Sequence, residues 1–190
     1  SDQHRLDLSD MRYEIDFYHN YPGQISARNQ RASYHYTPYT PWLDLRVTYA
    51  GNKTHLYYSP VEVSSYIGLR THSILSSWTA AHTSPFENGA ALARWNTGIK
   101  HQSDIFVADT PTLRGANPQG RSQLDSVFST LELQYDRYAM TAGLRQERYG
   151  ISGHVPVCSD VPGQCADIGG GGIDVRRTQQ ALSPSRAFSV

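Results

Sequence analysis

Residues 138–149, YAMTAGLRQERY, alternate in character along most of their length. One set of alternate positions is apolar or aromatic: Tyr138, Met140, Ala142 and Leu144. The other set is small, polar or charged: Ala139, Thr141, Gly143, Arg145 and Glu147. A period of two residues is that of an extended strand, because successive side chains of a strand point to opposite faces. The sequence therefore predicts a strand with one apolar and one charged face.

The same alternation recurs in other segments of similar length. The clearest are 42–51, 90–100, 121–135 and 137–149. Less regular candidates, separated by turn signals, are 11–20, 25–37, 71–83 and 178–190. Many short alternating segments predict an all-β chain of about seven or eight strands.

The connections between these segments come in two sizes, and the two sizes alternate. Short connections are predicted at 37–41, 84–89 and 136–137, and long ones at 52–70, 106–120 and 150–177. Short turns at one end and long loops at the other are typical of an antiparallel up-and-down transmembrane β-barrel. The short turns would be periplasmic and the long loops extracellular.

A barrel strand of this kind turns one face to lipid and the other to a polar lumen. The predicted lipid-facing residues are Leu43, Leu45, Val47, Met140 and Leu144. The predicted lumen-facing residues are Asp44, Arg46, Arg145 and Glu147. Aromatic residues at strand ends, Trp42 with Tyr49 and Tyr138 with Tyr149, are expected at the membrane interfaces. Asp125 shares a side with Val127, Leu131 and Leu133, so we expect it in an extracellular extension beyond the lipid.

Apolar residues make up 38% of the chain and charged residues 18%. This composition suits strands with one face toward water better than a large apolar core. The net charge is zero and the pI is near 7.1, so the chain lacks the excess of positive charge that is typical of nucleic-acid-binding proteins. The chain has no apolar run long enough for a transmembrane helix and opens on polar residues, so we expect no signal peptide in it.

Cys158 and Cys165 enclose a Pro-Gly turn, and we expect them to form a loop disulfide, with free thiols as the alternative. The eight histidines show no metal-binding spacing, and no nucleophile motif has its required context. We therefore predict neither a catalytic nor a metal site.

Three stretches carry a family resemblance. Residues 117–149, 83–104 and 181–190 resemble, in order and spacing, consecutive hairpins in the barrel domain of TonB-dependent outer-membrane receptors, particularly the haem/haemoglobin-receptor branch. The chain departs from the family pattern at Glu147, where aspartate is common, and at Lys100, a position often acidic. The resemblance implies that residues 1–190 are part of a larger barrel, without the signal peptide, the plug and the C-terminal strands.

The resemblance also implies a function: TonB-dependent uptake of haem or another iron complex across the bacterial outer membrane, with no enzyme activity. The expected partners are the TonB complex acting through the missing plug, a haem-carrying protein at the extracellular loops, and outer-membrane lipid. Haem or an iron chelate would be the cargo, and this segment would hold no cofactor. The resemblance assigns no haem-ligating residue within residues 1–190.

Aromatic and arginine side chains dominate binding surfaces, and some lie in the predicted long loops. The candidate ligand contacts are Tyr57, Tyr58, Tyr66, Arg70, His101, Arg114 and His154. The alternative for these residues is packing within the loops or the interfacial girdle. The alternative function is a soluble extracellular β-sheet binding module for carbohydrate or protein, which would need strands with a buried apolar face.

Overall fold

A computed structural model describes residues 3–18, 22–40, 42–58, 70–108, 119–156 and 172–189. These residues form eight strands. In chain order they are β1 (His4–Phe17), β2 (Gly23–Tyr36), β3 (Asp44–Tyr58), β4 (Arg70–Asn88), β5 (Ala91–Ala108), β6 (Gln119–Tyr135), β7 (Tyr138–Pro156) and β8 (Gly172–Ser189). The described residues contain no helix that is long and apolar enough to cross a membrane.

The eight strands form one sheet in the order β1 to β8, and every strand is antiparallel to its sequence neighbours. This confirms the predicted all-β, up-and-down architecture. The pairing of β6 with β7 runs without interruption from Tyr135 opposite Tyr138 to Gln119 opposite His154. Because that register has no bulge, the side-chain alternation read from the sequence is kept along the whole ladder.

Two of the turns are as tight as an antiparallel pair allows. Residues 89–90 join β4 to β5, and residues 136–137 join β6 to β7. Gly89 has a φ of 60° and Asp136 a φ of 52°. Left-handed backbone at the first turn residue matches the twist of the flanking strands in a two-residue hairpin, and Gly and Asp are residue types that tolerate it. The predicted turn at 84–89 is therefore too long, since β4 continues to Asn88.

The predicted long loops are also too long. Strands β3, β5 and β7 continue to Tyr58, Ala108 and Pro156, and their partners begin at Arg70, Gln119 and Gly172. The apolar alternation that marks a strand is not readable in these extensions: the side chains of 52–58 are mostly polar, 106–108 is only three residues long, and 150–156 is interrupted by glycines. Backbone pairing continues regardless, because the ladder hydrogen bonds do not require apolar side chains.

Burial in this sheet is inverted relative to a water-soluble protein. Among the described residues the buried set consists of Ala27 and four hydroxyl side chains, Thr71, Ser84, Ser103 and Ser126. Large apolar side chains are exposed instead. On β7 exposure alternates residue by residue from Tyr138 to Arg148, and the even positions, which carry Met140 and Leu144, are the exposed ones.

Candidate membrane-facing surface and lumen

One face of the sheet carries a continuous apolar surface across all eight strands, which we call the apolar band. Cross-strand register places Val127 and Leu182 on either side of Gln146, and Leu144 is next to Pro184. Val127 is 57% exposed, Leu144 51% and Leu182 63%. Other exposed members of the band are Leu6, Leu8, Tyr34, Val47, Tyr49, Trp78, Phe86, Trp95, Ile99, Leu131, Leu133, Tyr135, Tyr138, Met140 and Phe188.

Aromatic rings gather where the band reaches the short turns. Tyr135 and Tyr138 are paired across the two-residue turn. The Tyr138 ring stacks on Phe188 with the centroids 6.3 Å apart, and the Arg137 guanidinium lies 5.3 Å from the Tyr138 ring centroid. Rings with a polar edge, next to a cation, are typical of the boundary between hydrocarbon and lipid head groups.

Toward the long connections the same face becomes polar. One row of paired residues crosses the sheet there, and its members are Asp10, Gln30, Gly51, Ser76, Ser103, Gln123, Gly150 and Thr178. Asp125, the residue that breaks the apolar pattern, lies next to this row. Its Oδ1 is 2.5 Å from His101 Nδ1, and Arg148 is its cross-strand neighbour. Asp125 therefore belongs to the polar extension of β6, and its position beyond the lipid stays a prediction.

The opposite face carries the residues predicted to face a lumen. Asp44 and Arg46 alternate with Leu45 and Val47 on β3, and Arg145 and Glu147 alternate with Leu144 on β7.

The charged residues of this face are engaged with one another. Arg145 Nη2 is 2.7 Å from Glu147 Oε1, and His35 Nε2 is 2.7 Å from Asp44 Oδ1. Arg145 Nε is buried and has no hydrogen-bond partner among the described residues. A charged inner face against an apolar outer face is the distribution expected of a barrel wall, and which face meets lipid stays a prediction.

One aromatic assignment needs correction. Tyr149 lies an odd number of residues from Tyr138, so it shares the face of Arg145 and Glu147 and cannot close the apolar band. Leu43 precedes β3, in the turn, where its backbone N–H donates to the Thr40 carbonyl over 3.4 Å, and its lipid-facing position stays a prediction.

The candidate ligand contacts do not lie in loops as predicted, wherever they are described. Tyr57 and Tyr58 end β3 and Arg70 begins β4, while His101 and His154 lie within β5 and β7. Cross-strand pairing places Tyr57, His101 and His154 on the face of the apolar band, beyond its polar edge. Tyr66 and Arg114 lie outside the described residues, as do Cys158 and Cys165. The ligand contacts and the disulfide stay predictions.

His101 and His154 both contact neighbouring side chains. The His101 ring lies 6.0 Å from the Trp78 ring, in addition to its contact with Asp125. His154 Nδ1 is 2.8 Å from Asp174 Oδ1. No group of three or more potential metal ligands occurs within the part of the chain that the structure describes.

Sequence reasoning missed an apolar concavity on the inner face, which we call the inner patch. Phe106, Ile151 and Val175 line it, and Gly120 and Gly153, which pair with each other, form its floor. The space is about 540 Å³ and is bordered by Asp104. The parity of these residues along their strands would have revealed the patch, but only if the predicted strands had been extended beyond residues 100, 121, 149 and 178.

Comparison with solved structures identifies the fold. The Serratia marcescens hemophore receptor HasR, solved as a double mutant in complex with its hemophore HasA and heme, superposes with a TM-score of 0.76. It is 23% identical, and the match covers 97% of this chain and 31% of HasR. The ferric citrate transporter FecA in its unliganded form superposes with a TM-score of 0.62 at 8% identity, covering 87% of this chain and 25% of FecA. The fold is that of a TonB-dependent receptor barrel.

The chain spans about a third or less of these two receptor barrels' full chains. One is named as a receptor and the other as a transporter. No protein-family profile matches the sequence, and no curated protein matches it.

Proposed function

We propose that residues 1–190 are a segment of the barrel of a TonB-dependent receptor in a bacterial outer membrane, and that the receptor takes up haem or another iron complex. The exposed apolar band carries the first half of this proposal. Side chains such as Leu8, which is 71% exposed, and Phe188, which is 68% exposed, would be costly in water. In hydrocarbon the exposure of these side chains carries no such cost. The backbone groups between neighbouring strands are already hydrogen-bonded within the sheet, as hydrocarbon requires.

Haem is the favoured cargo. HasR is more similar to this chain than FecA in sequence identity, in TM-score and in the share of this chain that is covered. The inner patch adds a chemical argument, because Phe106, Ile151 and Val175 form an apolar surface of the kind that a porphyrin face packs against, whereas ferric citrate is small and anionic.

The inner patch also lies where a cargo would arrive. It sits at the end of the sheet that carries the connections 59–69, 109–118 and 157–171. From there the inner face continues past charged side chains such as Arg145 and Glu147 toward the short turns. A polar wall of this kind offers no second apolar pocket that would hold the cargo on its way.

Three partners follow from this proposal. A haem-carrying protein would contact the long connections. The TonB complex would act on a plug domain within the full receptor and supply the energy for transport, while membrane lipid would cover the apolar band.

The alternative, a soluble binding module, is not favoured. Such a module needs an apolar face buried between two layers, and the described residues form one sheet in which Ala27 is the single buried hydrophobic residue.

Growth on defined iron sources tests the proposal. A strain that lacks the gene should fail to grow with haem as the sole iron source and should grow normally with ferric citrate. Complementation with the wild-type gene should restore growth on haem. Phe106→Asp should restore growth on haem poorly. Phe86→Asp, on the outer face near a turn, is the control for a general folding defect, and the amount of each variant in the membrane is measured alongside growth. If the strain that lacks the gene keeps growing on haem, haem uptake is contradicted. If that strain fails to grow only on ferric citrate, ferric citrate is the cargo instead.

A further inference from the structure

Three arginines stand on the outer face just beyond the apolar band, on strands β6, β7 and β8. We call Arg121, Arg148 and Arg176 the basic patch. Arg121 and Arg176 are the cross-strand neighbours of Ser152, one on each side. Two strand spacings place their Cα atoms about 10 Å apart. Arg148 is four residues before Ser152 on the same strand, about 13 Å away along β7. All three side chains are exposed.

The centre of the basic patch is open. Gly150 lies midway between Arg148 and Ser152, and a Cβ added to it would meet nothing within 4 Å. Its cross-strand neighbours are Gln123 and Thr178, which offer an amide and a hydroxyl. The arginines thus surround a concave space of about 460 Å³ with a glycine floor and hydrogen-bonding sides.

Two carboxylates lie near the basic patch and offset part of its positive charge. Asp125 borders the concave space beside Arg148 and lies 2.5 Å from His101, and Asp174 lies 2.8 Å from His154, so both contact histidines and, among the described residues, neither forms an ion pair with an arginine of the patch. Within the residues that the structure describes, none of the three arginines forms an ion pair, and Arg121 Nε donates only to Ser103 Oγ over 3.2 Å.

Arginines at the other edge of the same face are arranged differently. On β1 and β2, Arg28 donates two hydrogen bonds to the Asp10 carboxylate, over 2.9 and 3.0 Å, and Arg12 is 3.4 Å from the same carboxylate. In that cluster both arginines contact the same carboxylate. The basic patch is therefore a local feature of β6–β8 and not a general property of the polar rim.

The basic patch also adjoins the apolar band directly. Below Arg148 on the outer face come Gln146 and then Leu144, and Val127 and Leu182 flank Gln146. An amphiphile whose acyl chains lie on Val127, Leu144 and Leu182 would carry its head group into the concave space over Gly150. Guanidinium groups pair strongly with phosphate oxygens because their donors can form two parallel hydrogen bonds.

We infer that the basic patch binds the phosphate head group of a membrane lipid whose acyl chains cover the neighbouring part of the apolar band. This inference rests on the proposed membrane setting and adds a specific lipid site to it. The ligand chemistry is a phosphate monoester or diester attached to an amphiphile, with Gln123 and Thr178 available to its other polar groups.

Lipid retention after purification tests the inference. The receptor, purified from its membrane in detergent, would be titrated with three probes: bisphosphorylated lipid A, the same lipid without phosphates, and inorganic phosphate. We expect tight binding of the bisphosphorylated lipid alone. The double variant R148Q/R176Q should bind it at least about tenfold more weakly, because it removes two guanidinium groups that form charge-assisted hydrogen bonds with phosphate.

The matched control is R12Q/R28Q, which removes two charges from the same face where the arginines are already paired with Asp10. Its affinity for the lipid should equal that of the wild type. Equal weakening in both double variants, or equal binding of the lipid with and without phosphates, would overturn the inference. Inorganic phosphate binding as tightly as the lipid would overturn the lipid as the source. If the receptor inserts in membranes but shows no preference for the phosphorylated lipid, the lipid site at the basic patch is refuted and the proposed function is not. If the receptor does not insert in membranes, the proposed function is refuted.

Discussion

Position within the alternation decides what each side chain contributes. On β7, Leu144 is 51% exposed on the face of the apolar band, while Thr141 points to the opposite face, where Glu132 is its cross-strand neighbour. The two residues are three positions, about 10 Å, apart along the strand, which is less than half the height of about 25 Å that the apolar band of a membrane barrel has. They differ in the solvent that their side chains would meet.

This pair provides a direct test of the face assignment. In the intact receptor, Leu144→Arg should lower the free energy of unfolding in bilayers by roughly 2–4 kcal/mol, because a cation near the membrane midplane loses its hydration. Thr141→Arg should cost much less, since the new cation meets a polar lumen and Glu132. Reversible denaturant unfolding in lipid vesicles measures both, and equal costs would refute the assignment.

Ion pairing at the polar rim should appear in a titration. The hydrogen bond from Arg28 holds the pKa of the Asp10 carboxyl below its usual value of 3.8. A lowered pKa in the folded state means that ionised Asp10 stabilises the fold above the unfolded-state pKa, and that this contribution is lost as the pH falls through the folded-state pKa.

We expect Arg28→Gln to raise the pKa of Asp10 toward 3.8, as measured by carboxyl NMR titration in detergent. Arg12→Gln should raise the pKa less, because its contact with Asp10 is longer, at 3.4 Å against 2.9 Å for Arg28. A larger effect from Arg12→Gln would contradict the arrangement of this cluster.

At the scale of the strand, glycines allow close packing between neighbours. On the inner face, a Cβ at Gly98 would lie 2.6 Å from the Ala80 carbonyl oxygen and 2.6 Å from the Phe128 ring. Phe128 is the cross-strand neighbour of Gly98 and covers it. An aromatic ring over a glycine fills the space that the missing side chain would leave, and it shields the backbone there.

Gly98→Ala should therefore destabilise the barrel by about 1–3 kcal/mol, since the ring and the backbone must shift. Gly150→Ala is the matched control in another strand, because open space surrounds that position, and we expect an effect within about 0.5 kcal/mol. Thermal unfolding in detergent, followed by the mobility shift on electrophoresis, would report both. A tolerated Gly98→Ala would show that Phe128 does not pack as described.

The strand ends show where prediction from sequence stops working. The positions of the apolar segments and the turn at 136–137 were readable, because apolar alternation and turn chemistry are local signals. The extensions 52–58, 106–108 and 150–156 were assigned to loops. The first is mostly polar, the second is only three residues long and the third contains two glycines, so none shows a clear period of two. Pairing with the neighbouring strand keeps them extended.

Considered as a whole, the molecule is a sheet with two open edges. Strands β1 and β8 each pair with a single described strand. Unpaired edges and an exposed apolar face both favour association in water, and an edge in hydrocarbon leaves backbone groups without partners.

Residues 1–190 expressed alone should therefore associate into large assemblies in buffer without detergent. In detergent micelles the chain should become smaller but remain less stable than the same segment inside the full receptor. Size-exclusion chromatography with light scattering, with and without detergent, distinguishes these states. A monodisperse monomer in plain buffer would refute the membrane barrel and revive the soluble module.

The sequence by itself determined the all-β class, the order of the strands, the apolar and charged sides of β3 and β7, and the resemblance to TonB-dependent receptors. These properties follow from periodicity and local motifs. The tertiary structure alone decided which residues become neighbours across strands: Arg121 and Arg176 around Ser152, Phe106 near Ile151 and Val175, and His101 beside Asp125. Such neighbours are set by register, and register depends on turn length and on pairing between residues far apart in the chain.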